Sequence, residues 1–149
     1  MAEYTNVDNQ LVALNNPLVF TASIPCTKGY VFHENNTGNF TLRGVTNNCF
    51  ARYQIVWNGN VQIPEGGAIS PIGIAVTING EVRPSSLAIY TPTAVETLGN
   101  LTSTAIVTVP KNCCFNLSVR YVSGVTDGTT SPTPTVEVSN SNLTITRIA

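Results

Sequence analysis

Short runs of alternating apolar and polar residues recur along this chain from near its start to its last residues, with Gly, Pro, Asn and Thr between them. In the run 113–121, Cys113, Phe115, Leu117, Val119 and Tyr121 fall on one side, and Cys114, Asn116, Ser118 and Arg120 on the other. A period of two with one apolar side marks a strand that buries a single face. No window carries the i, i+3, i+4, i+7 stripe of a capped helix, so the expected class is all-β.

The chain's 149 residues fit one domain with a core large enough to need neither metal nor disulfide. Charged residues make up only 10%, against about 25% in an average soluble domain. Seven basic and eight acidic side chains nearly cancel. That balance supplies no field to draw in nucleic acid or an anionic membrane, and neither is expected as a partner. A neutral surface rich in Thr and Asn associates readily, which suits a chain that lives in an assembly. The opening MAEYTNVDNQ lacks a basic and then apolar leader. No window reaches the ~20 apolar residues that a membrane-spanning helix needs. Synthesis and folding in a cytoplasm are therefore expected, with the cysteines reduced.

Strands are expected at 10–22 in two pieces broken at Asn15–Asn16–Pro17, and then at 30–34, 39–43 and 51–57. Asn58–Gly59 reads as a tight turn ending the last of these. The run 72–78 points Ile72, Ile74, Val76 and Ile78 one way. Asn79–Gly80 after it is the strongest hairpin signal, with a return strand expected through 81–90. The runs 101–109 and 113–122 are separated by a few residues and are expected to pair as antiparallel neighbours. A loop follows at 124–135, and the chain closes with VEVS and NLTITRI as two strands.

Chemistry is scarce. The one histidine, His33, adjoins Glu34, but neighbouring strand residues face opposite ways and form no dyad, so a structural or interface role is expected. Carboxylates are dispersed, and Asp127–Gly128 lacks the spacing of a calcium loop. Cys26, Cys49, Cys113 and Cys114 have no CxxC spacing and no nearby histidine. They are expected to act as partly buried apolar residues, with a Cys26–Cys49 bridge or a metal site as the alternative. Sequons begin at Asn35, Asn39, Asn100, Asn116 and Asn142, but without a secretory route they carry no glycan. Arg52 and Arg120 sit on polar strand faces and are expected to form a solvated edge, with pairing across subunits to Glu137 or Glu81 as the alternative. The sequence nominates no catalytic residue, no metal ligand and no cofactor.

The closing SNSNLTITRIA, with its Leu143, Ile145, Arg147 and Ile148, resembles the end of the tumour-necrosis-factor/complement-globular-head jelly roll. The phrases FTLRG, CFARYQI and VPKNCC are similar to small structural proteins of gut bacteriophages. The resemblance implies one jelly-roll sandwich of about ten antiparallel strands over 1–149, with the final strand inside the inner sheet. It also implies a homotrimer, and residues 1–20 serve as an N-terminal arm or first strand. No collagen-like stalk is present, so attachment falls to that arm or to the body. The role implied is a non-enzymatic decoration or short head fibre on the capsid exterior of a virion, made in a bacterial host and contacting the major capsid protein or other virion proteins. The alternative is a fibre tip that binds a host-surface glycan or receptor, through loops 35–38, 64–70 and 124–135 and a stacking Trp57 or Tyr90. Tyr53, Trp57, Phe115 and Tyr121 are assigned to the core. Val56, Arg120, Arg147 and Ile148 are the expected interface residues.

Overall fold

The computed structural model describes residues 2–24, 29–34, 36–66, 71–123 and 135–149. Twelve strands follow in order: β1 (Ala2–Asn6), β2 (Gln10–Ala13), β3 (Ala22–Ile24), β4 (Val31–His33), β5 (Phe40–Arg43) and β6 (Phe50–Gln62), then β7 (Ile72–Ile78), β8 (Glu81–Val82), β9 (Ala88–Tyr90), β10 (Gly99–Pro110), β11 (Cys114–Ser123) and β12 (Thr135–Arg147). One six-stranded sheet has the order β10-β6-β12-β1-β3, with β2 also on β12. The other has the order β4-β5-β11-β7-β8, with β9 on β7. All these pairings are antiparallel, and the two sheets make a jelly-roll sandwich.

Alternation builds the core. Tyr53, Ile55, Trp57 and Val61 point inward from β6, joined by Val107 and Val109 from β10 and Leu143 and Ile145 from β12. They meet Phe40, Leu42, Ile72, Ile74, Val76, Leu117, Val119 and Tyr121 of the second sheet. Tyr53, Trp57 and Tyr121 are completely buried, as expected, while Phe115 is only partly so. Ala75 and Thr77 on the other side of β7 are buried as well, so that strand hides both faces.

Several expectations give way. Asn58–Gly59 makes no turn, and β6 runs straight through it. Strands β10 and β11 are not neighbours: β10 pairs with β6, whereas β11 pairs with β5 and β7. The intervening Lys111–Cys113 turn crosses from one sheet to the other, with Asn112 at φ 65°. It is tied down on both sides, by Lys111 N–H to Cys49 O at 3.0 Å and Gly44 N–H to Cys113 O at 2.8 Å. The return strand at 81–90 is broken by a 3-10 turn at Pro84–Ser86. Proline supplies no N–H to a ladder, and the Ser86 hydroxyl instead accepts the Val76 N–H at 2.9 Å. VEVS and NLTITRI form one strand, β12, with a bulge between Ser139 and Asn142 where Asn140 has φ 51°.

The Asn79–Gly80 turn has both residues at positive φ (52° and 84°) and joins β7 to β8 in register, as the sequence indicates. Within residues 1–20, Ala2–Asn6 is an interior strand paired on both sides, and Leu18 and Phe20 are buried in the core.

Candidate functional site

The outer face of the first sheet is mostly uncharged, with Glu3 continuing the Val56 row beyond Thr144 and Arg52 opposite Thr108 as charged exceptions. Cross-strand registry sets Thr104, Val56 and Thr144 in one row, Thr102, Asn58 and Asn142 in the next, and Ile106, Gln54 and Thr146 in a third. Amides and hydroxyls lock together across the strands. Asn58 Nδ2 donates to Thr102 Oγ1 at 2.8 Å, and Asn100 Nδ2 donates to Asn58 Oδ1 at 3.1 Å. Two carboxylates, on β1 and β12, are held by amides: Asn142 Nδ2 reaches Glu3 Oε1 at 2.5 Å, and Gln62 Nε2 reaches Glu137 Oε2 at 2.6 Å. Val56 is half-buried in the middle, and Ile106 is 57% exposed beside the β10 edge.

Of the expected interface residues, only Val56 lies on this face. Arg120 sits on the outside of the second sheet, where Nε donates to Ser118 Oγ (3.0 Å) and Nη1 to Asn15 O (3.0 Å). Arg147 and Ile148 lie at one pole of the sandwich, at the end of β12.

That pole gathers groups far apart in sequence. The Arg147 guanidinium stacks over the Tyr30 ring at 4.2 Å from its centroid, donates from Nη1 to Val45 O, and donates from Nε to Ala149 O at 3.2 Å. Arg43, at the end of β5, donates from Nη1 to Gly29 O at 3.1 Å. Beneath both arginines the buried Tyr53 hydroxyl donates to Arg43 O (2.5 Å) and lies 3.3 Å from Tyr30 O. Burial pushes the Tyr53 phenol above its ordinary value, and the nearby Arg147 charge pulls the other way. Sequence reasoning missed this pole because nothing local links Tyr30, Arg43 and Arg147.

Other expected site residues fall elsewhere. His33 is structural: its ring stacks on Phe40 at 4.3 Å, meets the Tyr4 ring edge-on at 4.9 Å, and sets Nε2 3.0 Å from Thr37 O. Trp57 cannot stack on a sugar, since it is wholly buried. Tyr90 is half-buried with its ring against Gly99, where a β-carbon would stand 2.5 Å from it. The thiols are also corrected. Cys49, Cys113 and Cys114 are free and exposed instead of packed, because they fall in loop 44–49 and at the first residues around β11, outside the sheets' buried centre. Cys26, residues 67–70 of one expected loop, Asn35 and residues 124–134, with Asp127 among them, lie outside the described residues. Among the described residues no three His, Cys, Asp or Glu side chains converge as metal ligands would.

No family model and no curated protein matches this sequence. Solved structures do. The globular domain of zebrafish complement 1qA protein aligns over 95% of this chain and 93% of that one, at TM-score 0.57 and 11% identity. The chain has the jelly-roll fold of a complement 1q globular domain. In this chain β12 takes a central place in its sheet, between β6 and β1. A sugar-binding protein, the EclA C-terminal domain, is more loosely similar: TM-score 0.42 at 16% identity, over 95% of this chain and 80% of that one. At such identities the likeness is one of architecture, and function must be argued from the chain's own surfaces.

Proposed function

We propose that this chain is a non-enzymatic structural module. It assembles as a homotrimer and decorates the exterior of a bacteriophage capsid, as a head decoration or short head fibre, through contacts with the major capsid protein or another virion protein. The observation that carries this reading is the mostly uncharged face around Val56. Several of its amides and hydroxyls are already bonded to one another, so those side chains lose little rotamer freedom when a second surface covers them. Amide and hydroxyl arrays can pair with a like array, and Val56 and Ile106 supply apolar contacts near the middle and at the edge.

The neighbouring edge favours contact as well. Strand β10 spans Gly99–Pro110 without one charged residue, and among the described residues its only strand partner is β6. A long, neutral, unguarded edge is a hazard in a free monomer and an asset in an assembly that covers it. Closed threefold symmetry would also match the chain to a threefold position on a capsid lattice.

The test is the solution mass of the purified chain, alone and with capsids. A stable species of about three times 15.9 kDa that co-sediments with heads supports the reading. A monodisperse monomer that stays in the supernatant refutes it.

A further inference from the structure

The arginine pole carries a second inference, independent of the assembly face. Two clefts open side by side at this end of the sandwich and share Val45 and Thr46 as the ridge between them. One holds Arg147, Tyr30 and Asn47 in about 270 Å³. The other holds Arg43, Asn112 and the exposed Cys113 and Cys114 in about 310 Å³. The second volume sits at the lower end of small-ligand sites, roughly 300–1,000 Å³, and the first falls just below it.

The charge at this pole is unbalanced. Arg43, Arg52, Arg147 and Lys111 all belong to its loops and strand ends. Both cleft arginines direct their intramolecular bonds at main-chain oxygens, that of Ala149 among them for Arg147, and among the described residues neither is bonded to an Asp or Glu side chain. A guanidinium has five N–H donors in a planar fork, so several remain on each for an incoming oxyanion. The lining also includes Thr46, Asn47 and Asn112, whose hydroxyl and amide groups can hydrogen-bond sugar hydroxyls. Their backbone is held in place. Asn112 N–H donates to Gly44 O at 3.0 Å, and the Tyr53 hydroxyl pins the Arg43 carbonyl from below.

We propose that this pole binds a saccharide bearing carboxylates, with Arg43 and Arg147 each engaging a carboxylate and Asn47, Thr46 and Asn112 reading ring hydroxyls. Two small polar clefts, each with one cation and separated by a two-residue ridge, fit successive units of an acidic oligosaccharide. An acidic protein surface would suit a broader, flatter basic patch.

The experiment titrates the full chain with trigalacturonate, with the neutral maltotriose and with a tetraglutamate peptide, by calorimetry and by NMR shift mapping. The expected result is binding of trigalacturonate in the range of about 0.1–1 mM, weakened severalfold between about 20 and 200 mM salt, and no binding of maltotriose. Arg43→Gln and Arg147→Gln should each weaken it about tenfold. Arg43 is exposed and, among the described residues, its side chain makes only the one hydrogen bond, to Gly29, so Arg43→Gln stands as the decisive variant if Arg147→Gln perturbs folding. The proposal is overturned if trigalacturonate fails to bind at low salt or maltotriose binds equally well. It also falls if tetraglutamate binds as tightly as trigalacturonate, or if Arg43→Gln leaves the affinity unchanged.

Discussion

The indole of Trp57 occupies the space above Gly59, two residues along the same strand: a β-carbon at 59 would stand 2.6 Å from Trp57 Cζ2. The two residues share the inward face of β6, and the glycine exists there to admit the ring. Gly59→Ala should therefore cost about 1–3 kcal/mol through overpacking. Chemical denaturation of the variant reads this as a lower midpoint with an unchanged slope.

Gly80 makes the contrasting case. Nothing lies within 4 Å of a β-carbon placed there, but φ is +84°. Gly80→Ala should cost about 1 kcal/mol from backbone strain alone. Thermal melts should show the smaller loss here and the larger at Gly59.

Tyr53 and Tyr4 both have phenols raised above the ordinary 10.0 by burial. A raised folded value means that the neutral form is favoured by the fold. The corresponding stability is fully present below about pH 10 and drains away as pH climbs through the folded values. Tyr53→Phe should cost about 1–2 kcal/mol at neutral pH by stranding the Arg43 carbonyl. It should also flatten the alkaline limb of a stability-against-pH curve, and an unaltered limb would contradict this account.

On the assembly face, Val56→Arg places a charge in the middle of the neutral array. The expected outcome is a folded monomer, its circular dichroism unchanged and its sedimentation mass reduced to one chain. If the variant stays trimeric, some other surface joins the subunits.

Cys49, Cys113 and Cys114 should react rapidly with a thiol reagent in the native state, since all three are exposed. Replacing them with serine should shift stability by no more than about 0.5 kcal/mol, as at other surface sites. A larger loss would place them back in the packed interior.

How far the sequence could be read is clearest from its two similar dipeptides. Asn79–Gly80 turns, because the alternation stops there and starts again in reverse. Asn58–Gly59 does not, because the alternation runs on through it, with Trp57, Gly59 and Val61 inward and Asn58, Asn60 and Gln62 toward the other face. That continuity was visible in the sequence and outweighs the local turn preference. The sheet assignment of β10 and β11 was not visible. A short connection serves a hairpin within one sheet or an arch between two, and only the packing of Val107 and Leu117 on opposite layers decides. The arginine pole was equally hidden, since Tyr30, Arg43 and Arg147 meet only after both sheets have closed over Tyr53.

One topological fact bears on how the protein is made. Strand β12 is the bridge between β6 and β1, so the opening residues Ala2–Asn6 have no place on β6 until residues 135–147 have left the ribosome. Until then β6 can pair with β10 and β1 with β3, but the two halves of the sheet have no strand between them. Closure must be late and nearly all-or-none, at the slow pace of folds built from distant contacts. A cell producing many copies would carry a pool of half-made sheets, each with an open flank that another nascent chain could occupy.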